Sequence, residues 1–438
     1  MKTIAHFVTR FPRAILIGSL ILSALAAFGA LKTPINYDIF SYMPKDVESI
    51  QGQLIMAEQF KAADTAFVML QSTNTADILK IKDDLAAIPG VEKVAWISDI
   101  VDPAVPDMFI PGELISLFKK GEHALLHISF ANPGASDKTQ AAIQKIKVYL
   151  DGGRAFTGMP VFLYELKDLV REQKIKAILT AVILSALVTA IATGSVTIPI
   201  LFLIAMGMGI LYNMGTNYFL GSISYITEAV AAVIQLGVTI DFSIFLMHRY
   251  REETHTTTDR RQAMVNALQR TAHAIIPCAL VTMAGFLALA SMRIKLGGDM
   301  GIVMAKGVFF GLLSTMLILP ALTLIAERYI TIRDVKRSSQ RITHIAERLV
   351  KRPLALTLVF VLLFIPTVYI RQHSHLSYSI QDILPQNLKA LQAVHEIEGA
   401  MGSIELVNIL FPSQTPRWDE PLAQVLDTID RHCGRLGA

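Results

Sequence analysis

A single carboxylate, Asp241, sits inside an apolar run from Ile223 to Met247, and the run ends in a basic cluster, His248-Arg249-Tyr250-Arg251. At about 1.5 Å per helical residue, Asp241 lies roughly 12 Å from Arg249, near mid-bilayer if Arg249 marks the interface. A charge at that depth costs at least about 2.5–3.5 kcal/mol, so such groups face a bundle interior and serve a pathway, a relay or a structural pair. The chemistry open to Asp241 is proton exchange; the alternative is an Asp that only ties helices together. Glu228 lies thirteen residues earlier on the same run. It suits either a proton entry point or an interfacial anchor. Lys306 falls early in a later apolar run, where it either pairs with an intramembrane carboxylate or snorkels to the outer interface.

Other chemistries find no support. His395-Glu396-Ile397-Glu398 is not a zinc-binding HExxH, and no His/Glu cluster suggests a metal. The sequence lacks G-x-x-x-x-G-K-[ST], which disfavours ATP-driven work within this chain. No Ser-His-Asp arrangement stands out, so the expectation is a protein without cofactor, metal or enzymatic activity. Cys278 and Cys433 are the two cysteines, too few and too far apart for a disulfide framework.

The elements that must position Asp241 are membrane helices. Of 438 residues, 53% are hydrophobic and only 17% charged, well below the roughly 25% charged of soluble domains. The net charge of +4 is small and its Lys/Arg excess sits between apolar runs, which suits membrane orientation rather than nucleic-acid binding. Seven spans are expected: Ala14–Leu31, Ile175–Thr193, Val196–Gly215, Ile223–Met247, Ala272–Met292, Gly301–Ala326 and Pro353–Ile370. Asp299, beside Gly297-Gly298, reads as a loop residue.

Between the first two spans the chain changes character. Ala66–Gln71, Ala76–Ile88 and Val91–Ile97 read as strand, helix, strand, and so do His123–Phe130, Asp137–Leu150 and Arg154–Thr157. Two such units predict a split βαβ, ferredoxin-like α+β domain over 32–174. Phe162–Lys176 reads as an amphipathic helix leading into the next span. The resulting division is a first span (1–31), this domain (32–174), a five-span bundle (175–330), a basic linker (331–352), a seventh span (353–370) and a mixed segment (371–438). Three Lys/Arg-rich segments fall on one face, which is then cytoplasmic, with 32–174 outside. Lys167, Arg171, Lys174 and Lys176 sit on the wrong side for that orientation.

Laying the seventh span over the first reveals a repeat at a constant offset of 341. Ile35-Asn36-Tyr37-Asp38-Ile39 meets Leu376-Ser377-Tyr378-Ser379-Ile380, and Pro44-Lys45-Asp46 meets Pro385-Gln386-Asn387. The chain reads as one complete repeat and the opening of a second, ending inside a strand–helix unit, as a partial sequence would.

One span, an external βαβ-type domain, five spans and a recurrence of that order resemble the resistance–nodulation–division superfamily. Gly237-Val238-Thr239-Ile240-Asp241-Phe242-Ser243-Ile244-Phe245-Leu246, with Arg249-Tyr250-Arg251-Glu252-Glu253 after it, is similar to the signature of the MmpL-type branch. There an Asp-Tyr pair stands in a G-x-x-x-D-Y-x-x-F-L frame, and Phe242 here replaces the Tyr. The resemblance implies a polytopic transporter whose 32–174 segment is an extracytoplasmic porter domain. It also implies Asp241 as a proton-relay residue, and export of hydrophobic or amphiphilic compounds such as lipids across a bacterial inner membrane. The five-span group is similar to sterol-sensing domains, which implies the alternative of a lipid-binding or sensing module without transport. An inactive piece of a longer exporter is the third expectation. The expected partners are a lipid or amphiphilic substrate and either a second copy of the chain or a missing second half.

Overall fold

A long apolar run crosses lipid on its own as a helix, the spanning form that bonds every backbone polar group within its own segment. In the computed structural model, which describes residues 2–59, 64–72, 74–103, 105–150, 154–329, 353–372 and 388–402, the runs are helical. In chain order the elements are α1 (Lys2–Arg10), α2 (Pro12–Lys32), β1 (Ile35–Asn36), α3 (Glu48–Gln59), β2 (Asp64–Gln71), α4 (Thr75–Ala86), β3 (Val91–Ala95), α5 (Gly112–Phe118), β4 (Lys119–Lys120), β5 (His123–Phe130), α6 (Asp137–Tyr149), β6 (Ala155–Gly158), α7 (Met159–Thr193), α8 (Thr197–Thr216), β7 (Ile223–Ser224), α9 (Tyr225–Thr256), α10 (Arg260–Ala288), α11 (Lys295–Leu313), α12 (Leu319–Ile325), α13 (Pro353–Gln372) and α14 (Lys389–Met401). Among the described residues, six helices are long and apolar enough to cross a membrane by length and composition: α2, α7, α8, α9, α10, and α11 with its continuation α12. The apolar helix α13 covers the seventh expected span and stands outside those six. The expected linker at 331–352 lies outside the described residues, as does most of 371–438.

The bundle has an inside and an outside. Helices α8, α9 and α11 are about half buried along their apolar stretches, whereas α2, α7 and α10 turn most of their surface outward. Close approach depends on missing side chains. A Cβ on Gly29 of α2 would stand 2.5 Å from the Gly215 carbonyl oxygen of α8, and one on Gly215 would run into the Ala26 backbone. This is the use of small residues in membrane packing. A π-helical turn at Ser314–Ile318 joins α11 to α12.

The sheet domain has four main strands in the order β3-β5-β2-β6, all antiparallel, with β4 added to β5. That is the strand order of a split βαβ arrangement. Helices α4 and α6 bury Ile78, Leu85, Ile143 and Ile146 against Ala66, Val68 and Leu70 on one face. The alternate residues of β2 point the other way, where Phe67 and Met69 join Leu125 and Ala155 under Ala393 and Ile397 of α14. Thr157 Oγ1 also donates to the Ala390 carbonyl at 2.9 Å, and Glu165 Oε2 accepts from the Ala390 amide. Helix starts keep the offset of the repeat: 353 less 12 and 389 less 48 both give 341. The helix covering the sheet is therefore the second repeat's counterpart of α3.

The amphipathic helix expected at 162–176 runs without a break into the second span as one helix, α7, of 35 residues, roughly 52 Å long at 1.5 Å per residue. It starts at the sheet, where Gly158 at φ 131 sits so close to β2 that a Cβ would be 2.7 Å from Ala66 Cα. Asp299 is not a loop residue. It lies in the opening turns of α11 and accepts from the Ser224 amide at 2.9 Å and the Thr227 hydroxyl at 2.5 Å.

Candidate functional site

Helix α9 is built to be held at both ends. Ser224 caps its start by accepting from the Ile226 amide, as N-cap hydroxyls do. Just before it, β7 pairs with β1, so the strand that follows α2 is stitched to the head of α9. Tyr37 stacks on Tyr225 with ring centroids 5.5 Å apart, and Asp299 ties the same turn to α11.

Glu228 belongs to this anchorage. It forms an ion pair with Lys174 of α7, both side chains being partly buried. Lys174 is one of the cations on the wrong side for the charge-based orientation, and this pairing gives it a local role. Lys167 lies over the Tyr37 ring at 5.3 Å, and Lys176 pairs with Glu172 at 2.6 Å.

The other end is an ion-pair knot. Glu253, almost wholly buried, receives Arg249 at 3.1 Å and Arg270 of α10 at 3.2 Å, while Arg249 also reaches Glu252. Arg251 donates to the Thr193 carbonyl at 2.8 Å, satisfying a free carbonyl at the end of α7. The basic cluster that marks a membrane side in the sequence thus also fastens α9 to α7 and α10. Sequence reasoning missed Glu253 and Arg270 as its partners.

Between these anchors, Asp241 is near the midpoint of α9 and is exposed on the outer surface of the bundle. Gly237 and Phe245, four residues to either side, share its face, as four-residue spacing on a helix requires. Among the described residues no hydrogen bond or ion pair to Asp241 is found. Phe242, where the resembling signature has Tyr, turns into the apolar core with Leu246. The structure does not bring Asp241, Glu228 and Lys306 together. Lys306 donates to the Asn217 side-chain oxygen at 2.7 Å, a neutral amide rather than a carboxylate.

The opposite face of α9 carries polar residues that the sequence reading passed over. Gln235, Thr239 and Ser243 are fully buried against α8 and α11. Asn213 of α8 donates to Gln235 at 3.0 Å, and Ser243 bonds Thr315 at 3.1 Å. Their four-residue spacing inside an apolar run was the available signal.

In the sheet domain, a cavity of about 240 Å³ opens beside Asp64, lined by Phe40, Met43, Leu54 and Ala57 with Asp38 and Lys45. Asp64 accepts from the Gly134 amide at 2.6 Å. Burial pushes its carboxyl up from 3.8 to about 6, against the opposing pull of that amide.

A model of the MMPL family matches residues 41–356. Membrane protein MJ1562 of Methanocaldococcus jannaschii is 22% identical over 368 residues, covering 75% of this chain and 95% of that protein. The apo-petrobactin exporter of Bacillus anthracis is 25% identical over 360 residues, 75% of this chain and 44% of that protein. The hopanoid transporter HpnN of Rhodopseudomonas palustris is 29% identical over 151 residues, 31% of this chain and 17% of that protein. This chain therefore spans less than half of the two named transporters and nearly all of MJ1562.

Proposed function

Because this chain belongs to the MMPL family of multi-pass membrane transporters, we propose that it takes part in proton-driven export of hydrophobic or amphiphilic compounds, lipids among them. The observation that carries the reading is Asp241: a carboxylate at the middle of a spanning helix, on a face its own bundle leaves open. A charge there is incompatible with bare lipid, so the face is covered, either by a second copy of this chain or by a second repeat. Proton binding at Asp241 changes the charge at that seam. The shift is passed along α7, which runs unbroken from the bundle to the sheet, by the Glu228–Lys174 clasp. The picture of packed halves rocking about a midplane site applies by analogy.

The cargo class draws support from relatives named as transporters of apo-petrobactin and hopanoids. The cavity beside Asp64, lined mostly by apolar residues together with Asp38 and Lys45, suits part of an amphiphile. On this reading the sheet domain lies outside, and the Lys/Arg-rich segments inside, a bacterial cytoplasmic membrane.

The test is efflux of a lipophilic dye from inverted vesicles carrying an imposed proton gradient. The expected outcome is gradient-dependent transport that Asp241→Asn abolishes while folding is retained. Transport that persists in Asp241→Asn overturns the relay. Lipid binding without transport in either form would favour the sensing module.

A further inference from the structure

Helix α9 has a second polar face, turned away from Asp241. Gln235, Thr239 and Ser243 are 2%, 0% and 1% exposed and follow one another at four-residue steps. Across from them, Gly307 and Gly311 of α11 and Thr315 of the π-helical turn follow at the same spacing, and α8 presents Asn213 and Gly209. The glycines bring the polar groups into the seam. A Cβ on Gly307 would stand 2.9 Å from Asn213 Nδ2, one on Gly209 would be 2.6 Å from Ser314 Oγ, and one on Gly311 would collide with Thr239. The seam begins at Lys306 and Asn217 and reaches Thr323, whose hydroxyl contacts Met247 sulfur at 3.6 Å. Seventeen residues separate Lys306 from Thr323, about 25 Å at helical rise, most of the roughly 30 Å hydrocarbon thickness.

A dry seam would satisfy its own polar atoms, since nothing in lipid can do it for them. This one does not. Asn213 Oδ1, Gln235 Nε2 and Ser314 Oγ are all buried without a protein partner. Each unmade bond in a buried setting leaves a desolvated polar atom uncompensated. Waters with several polar partners supply that compensation. The π-helical turn at Ser314–Ile318 interrupts regular helix beside the unpaired Ser314, and such turns frequently mark functional positions.

We propose that the α8–α9–α11 seam holds a file of bound waters running from Lys306 towards Thr323, which passes protons on the face of α9 opposite Asp241. Each water takes a proton from one neighbour and gives one to the next, so no side chain is consumed. The charged groups at its ends are Lys306 on one side and the Glu253–Arg249–Arg270 knot on the other. The inference does not depend on the export reading, because Asp241 is not part of the file.

Hydroxyl radicals generated from bound water oxidise the side chains beside it. The full chain in lipid nanodiscs is exposed to an X-ray pulse and oxidation is read at each methionine. Met206, 3.2 Å from the Thr239 hydroxyl, and Met247 adjoin the file, whereas the buried Met264 of α10 and Met69 of β2 lie outside the α8–α9–α11 seam. Met206 and Met247 are expected to oxidise severalfold faster than the other two, and Gln235→Leu or the milder Thr239→Val to slow Met206. Equal rates at all four overturn the file. Proton entry is then read with an internal pH dye in proteoliposomes of Asp241→Asn. Entry that persists, and is lost on adding Thr239→Val or Gln235→Leu, supports the path. Labelled methionines without such entry overturn the conduction while leaving the export test untouched.

Discussion

Two carboxylates outside the knot, Glu228 and Asp64, behave differently because their surroundings differ. Glu228 has Lys174 beside it, and removing one partner leaves the other partly buried and alone. Glu228→Gln and Lys174→Met are each expected to lower the thermal unfolding temperature in detergent, with losses on the order of 1–3 kcal/mol. The double variant should lose less than the sum, and additive losses would show the pair to be uncoupled. Asp64 has burial to contend with, so its folded carboxyl titrates near 6 rather than 3.8. A carboxyl that holds its proton more tightly when folded adds stability that is full below about pH 4 and lost as pH rises to about 6. The change approaches roughly 2–3 kcal/mol. Hydrogen exchange in β2 and β5, corrected for its intrinsic pH dependence, is expected to quicken across that window, and Asp64→Asn should flatten the profile.

At the scale of elements, the spans were legible because hydropathy and length alone decide them, and the alternating strands because period two is a local signal. What neighbours a residue is not local. Asp241, Phe242 and Ser243 are consecutive, yet the first faces outward while the other two enter the core, and hydropathy cannot separate them. Lys174 and Glu228 lie on different helices, so their pairing could not be read from either. The glycines flanking Asp299 read locally as a loop, but Gly297 and Gly301 serve helix contact: a Cβ on Gly301 would be 2.5 Å from the Phe286 carbonyl oxygen. The same logic gives a prediction for α2 and α8. Gly215→Val is expected to separate them and cost at least about 1–3 kcal/mol, read as lower yield of monodisperse protein and a lower unfolding temperature. An unchanged unfolding temperature would argue against that contact.

Across the whole molecule, the sheet and the bundle are mechanically continuous through α7 and Gly158. Gly158→Ala places a side chain in a backbone conformation and a space that L-residues avoid. It is expected to disturb the sheet–helix junction, with faster hydrogen exchange at β6 and the start of α7, while the α8–α9–α11 interior keeps its protection. The other sheet face depends on α14. Ile397→Asp should uncover Phe67, Met69 and Leu125, seen as binding of a hydrophobic dye and early proteolysis within 64–130.

That cover has a consequence in time. Lys389 is made 231 residues after Gly158 (389 less 158). At about 5–20 residues per second on the ribosome, the sheet stands finished on one side and bare on the other for roughly 10–50 s. During that interval the bundle helices α7 to α12 enter the membrane while an apolar sheet face waits beside them. A nascent chain is thus exposed to misassembly at that face throughout the insertion of α7 to α12.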